Sequence, residues 1–298
     1  MLQKDVFRRS PRVAIATCQT LPEADVDEAP LLGALAREGA TVSLLAWDGA
    51  SSRPAAGEHD LVVVRSTWNY SRAVEPFLAW LDDVASVVDL RNPLAVLREN
   101  VDKIYLRALA ARGVPTVPTA FVDRGSNVAF SDVCGEHGFG DTVVKPRVSA
   151  GSWKTERFAK HEREKAEAFF QGLVAERDVM VQPYVASVDG HGERSLVVLD
   201  GHVSHAVRKS PRFSADAESV TRVPIADDER EFALRVLAPY EGLLYARVDT
   251  ARDDAGQLVL MELELLEPSL FFREAPEALP AFARAIVREA RDTPNSRK

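Results

Sequence analysis

Apolar residues in this chain gather into short unbroken runs, separated by segments in which they recur every three or four positions. Arg12-Val13-Ala14-Ile15-Ala16-Thr17, residues 41–47 and Leu61-Val62-Val63-Val64 have strand length. The last run is apolar at every position, as expected where helices cover both faces of a parallel sheet. Between the first two strands, residues 27–38 place Ala29, Leu32 and Ala36 on one helical stripe, with Gly39 just past the end. A small doubly wound α/β unit is therefore expected up to about residue 92. It has no Gly-x-Gly-x-x-Gly turn, which argues against a dinucleotide site there.

Beyond residue 92 the pattern changes. A helix is expected over 99–112, ending at Gly113. Val114-Pro115-Thr116-Val117-Pro118-Thr119 follows, and prolines so close together suit an edge strand or an extended crossing. Strands near 142–145 and 179–182 flank a helix over 161–176. Its apolar stripe is Ala166, Phe169, Phe170 and Leu173, and its run His161-Glu162-Arg163-Glu164-Lys165 reads as a solvated face. Residues 195–199 and 202–207 meet at Asp200-Gly201, a strong two-residue hairpin signal. A second strand pair is expected over 242–249 and 257–265. A final helix over 277–291 carries Leu279, Phe282, Ala283 and Ile286.

With 298 residues, 46% of them hydrophobic, the chain can bury a sizeable core in two or three subdomains. The net charge of −8 and the lack of a long Lys/Arg run exclude a nucleic-acid footprint. The apolar runs are too short to span a membrane. The opening MLQKDVFRRSPR has charge but no apolar stretch behind it, so it is not read as a secretory leader. Cys18 and Cys134 are far apart and match no metal spacing. A reduced, cytoplasmic setting is expected. Cys18 reads as a small buried hydrophobe before a catalytic thiol. His202 and His205, three apart on a strand, point to opposite faces and make a poor metal pair.

The candidate chemistry lies in the second half. Lys145 ends a short strand, and the small-residue loop Ser149-Ala150-Gly151-Ser152 follows at once. Taken alone this is a surface turn or a phosphate cradle. Glu262 and Glu264 are two apart on an otherwise apolar strand and so share a face. They make either one wet face or, with Asp249 on the preceding strand, a site for a hard cation such as Mg²⁺. Arg65-Ser66-Thr67-Trp68-Asn69-Tyr70 follows the Leu61–Val64 run, at the strand end where open α/β sheets bind ligands. Arg65, Ser66 and Thr67 suit a small carboxylate- or amine-bearing molecule. Asn69 or Ser71 could equally cap the next helix, which holds Phe77 and Trp80.

In chain order, Asn92-Pro93 with Asp102-Lys103, Val144-Lys145-Pro146 with its loop, Gln182-Pro183-Tyr184-Val185 with Asp189-Gly190 and Glu193-Arg194, Asp249, and Glu262-Leu263-Glu264 resemble the ATP-grasp superfamily. The specific likeness is to glutathione-synthetase-like ligases, and it covers nearly the whole chain. It implies an α/β (α+β) ATP-grasp fold: an N-terminal α/β domain over 1–92, a central lid subdomain over 93–181 and a catalytic subdomain over 182–298, the last two sandwiching ATP. It implies that Lys103 and Lys145 reach the nucleotide phosphates and that Ser149, Ala150, Gly151 and Ser152 close over them. Gln182, Tyr184 and Val185 would pack the adenine, and Asp189 would bind the ribose. Asp249, Glu262 and Glu264 would hold Mg²⁺, although the family often carries Asn where Glu264 stands. Arg194 and Arg208, with Lys209 beside them, lie on strands that in related ligases face an acyl phosphate. Arg273, after the last strand, is a further substrate candidate.

The resemblance implies an ATP- and Mg²⁺-dependent ligase that joins a carboxylate to a nitrogen through an acyl phosphate. Within the superfamily, Ala14–Pro22 and Val64–Tyr70 look like a compact actinobacterial-type group, and the chain as a whole is similar to the cyclo-ligases that close the ring of D-cycloserine from O-ureido-D-serine. The partner expected is thus a small amino-acid-derived substrate, and a homo-oligomer is left open. Two other readings remain. One is an intermolecular amino-acid or peptide ligase of the glutathione synthetase or D-alanine–D-alanine ligase type. The other is a nucleotide-binding scaffold without catalysis, which the intact set of lysines, loop and carboxylates argues against.

Overall fold

The expected alternation of strand and helix is present from the first strand onward. The computed structural model describes residues 9–210 and 219–292; residues 1–8, which carry most of the opening segment read above, lie outside them. The elements begin with β1 (Arg12–Thr17), α1 (Glu28–Arg37), β2 (Thr41–Ala46), β3 (Leu61–Ser66), α2 (Val74–Val87) and β4 (Leu90–Arg91). Next come α3 (Leu94–Asn100), α4 (Tyr105–Ala111), β5 (Ala120–Val122), α5 (Phe130–His137), β6 (Thr142–Pro146), β7 (Glu156–Phe158), α6 (Arg163–Glu176) and β8 (Val179–Pro183). The chain continues with α7 (Ser187–Gly190), β9 (Glu193–Leu199), β10 (His202–Lys209), β11 (Val220–Val223), α8 (Asp227–Leu237), β12 (Tyr245–Arg252), β13 (Leu258–Glu264) and α9 (Leu279–Asp292). They form two compact units, one of residues 1–94, 242–244 and 267–298, the other of 95–241 and 245–266.

In the first unit a parallel sheet runs in the order β2-β1-β3-β4. β3 is buried at all six positions, so its apolar run did mark a strand covered on both faces. Helix α9 packs on α1. Phe77 of α2 is fully buried, with Trp47, Tyr70 and Trp80 at ring-centroid distances of 5.1, 5.1 and 5.6 Å. A Phe77→Ala variant is expected to lose about 3–5 kcal/mol, because a cavity replaces a ring packed on three others. Urea unfolding of parent and variant measures the difference. The helix-cap alternative fails here: α2 starts after Ala73, which has no side-chain cap. Asn69 instead accepts from Trp47 Nε1 at 2.6 Å and donates to Asp48 at 2.7 Å.

The second unit contains two sheets. One runs β5-β8-β6-β7 and is antiparallel. Its core is closed by Phe130, Phe170, Leu173 and Val174 from α5 and α6. The other runs β11-β10-β9-β12-β13, also antiparallel. Asp200 and Gly201 both take left-handed φ values, 51° and 78°, the geometry of a tight two-residue hairpin. The Pro-punctuated segment is an extended crossing: Val117 N–H donates to Leu260 O at 3.0 Å, and Leu260 N–H donates to Pro115 O at 2.8 Å.

The single helix expected over 99–112 is a correction. It is two helices, α3 and α4, with a turn between them. The Asn100 side chain donates to Leu263 O and accepts from Leu265 and Leu266 N–H. Lys103 N–H donates to Arg147 O at 3.2 Å. These long-range bonds take backbone and side-chain groups that a continuous helix would direct elsewhere, and they override its propensity.

Candidate active site

One face of the β11-β10-β9-β12-β13 sheet gathers most of the candidate chemistry. Asp249 lies opposite Glu262, and Arg247 opposite Glu264. Ser195 of β9 lies opposite Asp249, and Lys209 of β10 opposite Glu193. Cross-strand partners and residues two apart share a face, so Glu193, Lys209, Arg247, Asp249, Glu262 and Glu264 all point one way. Asp249 is 1% exposed, and a lone buried carboxylate is costly. Arg247 donates to both of its oxygens, at 2.9 and 2.8 Å, and Lys209 Nζ donates at 2.9 Å. Burial alone would raise this carboxyl's pKa; Arg247 and Lys209 outweigh it and hold it far below the usual range. Arg247 also pairs with Glu264, and Lys209 with Glu193. Burial pushes Glu264 up to about 7 against the pull of Arg247.

The two lysines approach the same carboxylate. Lys103 is 5% exposed. Its Nζ lies 3.2 Å from Glu262 Oε1 and donates to Ser149 O at 2.7 Å. Lys145 is depressed by burial, with Glu262 opposing and Lys103 reinforcing the shift. Burial would raise Glu262, but Lys103 and Lys145 prevail and keep it lowered. The loop behind Lys145 uses left-handed backbone at Gly151, Ser152 and Lys154, with φ of 60°, 58° and 51°. Such turns aim backbone N–H groups at an anion. Lys154 pairs with Glu176 at 2.9 Å, and the Trp153 ring lies 4.5 Å from the Arg177 guanidinium, so the loop rests on the end of α6.

An apolar patch adjoins the charged one. Val117, Val188, Ala251 and Val259 form a buried cluster that Val185 and Met261 complete. The register of β12 and β13 shifts between Asp249 and Thr250, whose partners are Glu262 and Leu260. Met261 is thus the extra residue of a bulge, and it lets Val259 and Glu262 share a face. Gln182 donates to Thr119 Oγ1 at 2.9 Å. Tyr184 O–H donates to Asp189, and the Arg157 guanidinium lies 3.4 Å from the Tyr184 ring centroid. Burial and Asp189 together push Tyr184 up to about 12.

Arg194 and Arg208 are not brought to this face. They lie opposite one another, one position out of step with Glu193, Ser195 and Lys209, so the strand period turns them to the other side. Arg194 pairs there with buried Glu229 of α8 at 3.0 Å. Arg208 donates to His191 O and Gly190 O at 3.0 and 2.8 Å. Lys209 and Arg247 supply the positive charge instead. Sequence reasoning missed Arg247, although Arg247-Val248-Asp249 has the same period-two spacing that marked Glu262 and Glu264.

The first unit holds Arg65, Ser66, Thr67 and Arg273. The first three are buried, at 2%, 0% and 0% exposure. Ser66 Oγ donates to Thr17 Oγ1 at 3.0 Å. Asp27, also unanticipated, accepts from Leu270 and Phe272 N–H at 3.1 and 3.0 Å. Burial raises its carboxyl and Arg65 opposes, so one carboxylate joins Arg65 to the segment that leads to exposed Arg273. Cys18 is 4% exposed, and burial raises its thiol, which fits the inert reading. His202 is exposed and His205 buried.

The donors present fit Mg²⁺. They are all oxygens, and the Glu262 and Glu264 side chains keep 27% and 24% of their surface open. Asp249 is enclosed by Arg247 and Lys209. Among the described residues no three His, Cys, Asp or Glu side chains form a ready-made metal cluster, and none of the described helices is long and apolar enough to cross a membrane.

Residues 13–92 match the family model described as D-cycloserine synthetase DcsG, N-terminal domain. The cycloserine biosynthesis protein DcsG of Streptomyces lavendulae is 33% identical over 286 residues, covering 88% of this chain and 93% of that protein. The chain belongs to the D-cycloserine synthetase family. The crystal structure of D-cycloserine synthetase DcsG superposes with a TM-score of 0.86 at 30% identity, over 94% of this chain and 99% of that one. Two more distant structures share the fold. A RimK domain ATP-grasp protein of Sphaerobacter thermophilus has a TM-score of 0.68 at 20% identity, over 94% and 99% of the two chains. The D-alanine–D-alanine ligase of Bacillus anthracis complexed with ATP has 0.69 at 15%, over 94% and 97%. This member of the synthetase family therefore has the ATP-grasp fold and is an ATP-dependent ligase that forms a C–N bond.

Proposed function

We propose that the protein closes the ring of D-cycloserine from O-ureido-D-serine at the expense of ATP. The observation that carries the reading is Lys103, held between Glu262 and the Ser149 carbonyl beside Lys145. Two ammonium groups, a left-handed loop and open carboxylates converge there, as phosphoryl transfer by positioning and charge neutralisation requires. Lys103 and Lys145 would neutralise the phosphates, and Ser149, Ala150, Gly151 and Ser152 would cover them. Gln182, Tyr184 and Val185 would hold the base against the Val117–Val259 cluster, and Asp189 the ribose. Glu262 and Glu264, with Asp249 behind them, would hold Mg²⁺, which when bound supplies charge neutralisation to the phosphates. Arg65, Ser66, Thr67 and Arg273 would bind the amino-acid substrate. Lys209 and Arg247, on the site face, would supply the positive charge in place of Arg194 and Arg208.

The substrate carboxylate attacks the γ-phosphorus and ADP leaves, giving an acyl phosphate. The ureido nitrogen bonded to oxygen then attacks the acyl carbon, phosphate leaves, and a five-membered ring closes. Hydrolysis of the carbamoyl group releases CO₂ and ammonia. The division at 92 and 181 stands as part of this proposal, with the β5-β8-β6-β7 sheet as the lid subdomain and the larger sheet as the catalytic one. The protein is read as cytoplasmic, in keeping with its free cysteines.

Because the nucleophile and the acyl phosphate are on one molecule, ring closure needs no second association, and effective concentrations of about 10⁵ M or more become accessible. ATP, Mg²⁺ and O-ureido-D-serine alone are expected to give ADP and D-cycloserine in equal amounts, with no rise in rate on adding free amino acids. Absence of ADP until a second amine is supplied would instead establish an intermolecular ligase.

A further inference from the structure

We propose that Arg147 is a positioning residue that fixes the spacing of Lys103 and Lys145; this rests on the reading of those lysines as phosphate ligands. Arg147 follows Lys145 by two residues. Its guanidinium grips Asp102, the neighbour of Lys103, through Nε to Oδ1 at 3.0 Å and Nη2 to Oδ2 at 2.6 Å. Its carbonyl accepts the Lys103 N–H at 3.2 Å, and its own N–H donates to Asp178 O at 3.0 Å. Asp102 Oδ1 also accepts the Ile104 N–H at 2.9 Å. One residue thus holds the turn between α3 and α4 by main chain and side chain together, next to the end of β6.

The turn needs such a hold. Lys103 and Lys145 are like charges around one carboxylate, and Lys103 disfavours the charged form of Lys145. Their repulsion pushes the α3–α4 turn away from β6, and the Arg147–Asp102 fork opposes it. Arg147 is also ringed by acid. Its Nη1 is 3.3 Å from Asp123 and its Nη2 is 3.2 Å from Asp178. Partly exposed ion pairs of this kind add little stability, whereas a bidentate fork fixes direction. The cluster is therefore poorly explained as a stabilising device and well explained as an orienting one. Lysine cannot reproduce the fork.

Calorimetric binding of ADP and of adenosine to the full chain tests this. Arg147→Gln is expected to weaken ADP by about tenfold, the scale of a lost charge-assisted bidentate contact, while adenosine, which lacks phosphate, binds as to the parent. Arg147→Lys is expected to recover part of the ADP affinity. In a Lys103→Met background, Arg147→Gln is expected to cost ADP nothing further, because the two changes act through one group. Equal weakening of adenosine and ADP, or full additivity with Lys103→Met, would overturn the positioning role. If Lys103→Met and Lys145→Met both bind ADP like the parent, the phosphate reading falls and this inference with it. Should Arg147→Gln fail to fold, Asp102→Asn, which removes the other half of the fork, gives the same comparison.

Discussion

Lys145→Ala is expected to lower kcat by about a hundred- to a thousandfold, the range seen when one preorganised charge-stabilising group is removed from an active site. The lysine comes from β6, whose backbone bonds to β7 and β8 on either side do not depend on its side chain. The second unit should therefore keep its fold, and circular dichroism and thermal unfolding should show a parent-like protein. The ammonium is held in a partly dehydrated setting that burial and Lys103 make unfavourable and that Glu262, with Glu193, relieves. A phosphate chain entering there would complete the balance of charge, so the loss should appear both in nucleotide binding and in turnover. ATP should raise the thermal stability of the parent by mass action and should do so less for the variant. Unchanged ADP release by Lys145→Ala would remove Lys145 from the phosphate site.

Glu262→Gln should be comparably damaging, at about a hundredfold or more in kcat even with saturating ATP. Glu262 faces Lys103 at 3.2 Å and stands opposite Asp249, so a neutral amide leaves two lysines repelling without their shared counter-ion. It also removes the open carboxylate that we assign to Mg²⁺. Glu264→Asn should be milder, within about tenfold, because Arg247 keeps Asp249 as a partner and an amide oxygen still suits a hard cation. The two variants are compared by steady-state ADP release across a range of Mg²⁺ concentrations. A more damaging Glu264→Asn would reverse the two assignments.

Much of this arrangement could be read before any coordinates, for reasons that differ from element to element. The apolar run of β3 and the Asp200-Gly201 turn are local signals, and local physics decides both. Glu262 and Glu264 share one face because period two holds within any strand, but their register with Asp249 depends on the bulge at Met261, which the sequence does not announce. Arg194 and Arg208 fall on the other face, and the sequence hides this for the complementary reason. Alternation says that Glu193 and Arg194 face opposite ways, but only the pairing of β9 with β12 says which way is the site. The break between α3 and α4 was hidden for a similar reason: Arg147 and Leu263, remote in sequence, take the bonds of Lys103 and Asn100. Arg247 was legible and overlooked. Asp27 was not legible, since its partners Leu270 and Phe272 lie more than two hundred residues away.

The bulge at Met261 bears on how this sequence can change over time. It is a single extra residue, and it lets the apolar half and the acidic half of one strand look in the same direction. A substitution at 261 alters one side chain. A deletion there leaves Val259 and Glu262 two apart, so that plain alternation keeps them on one face and only the local bend and twist of the bulge are lost. Descendants of this chain should therefore tolerate varied residues at 261, and even its loss, but not the loss of Leu263, which would set Glu262 and Glu264 on opposite faces. In a library of random variants under selection for activity, loss of codon 263 should vanish well before loss of codon 261.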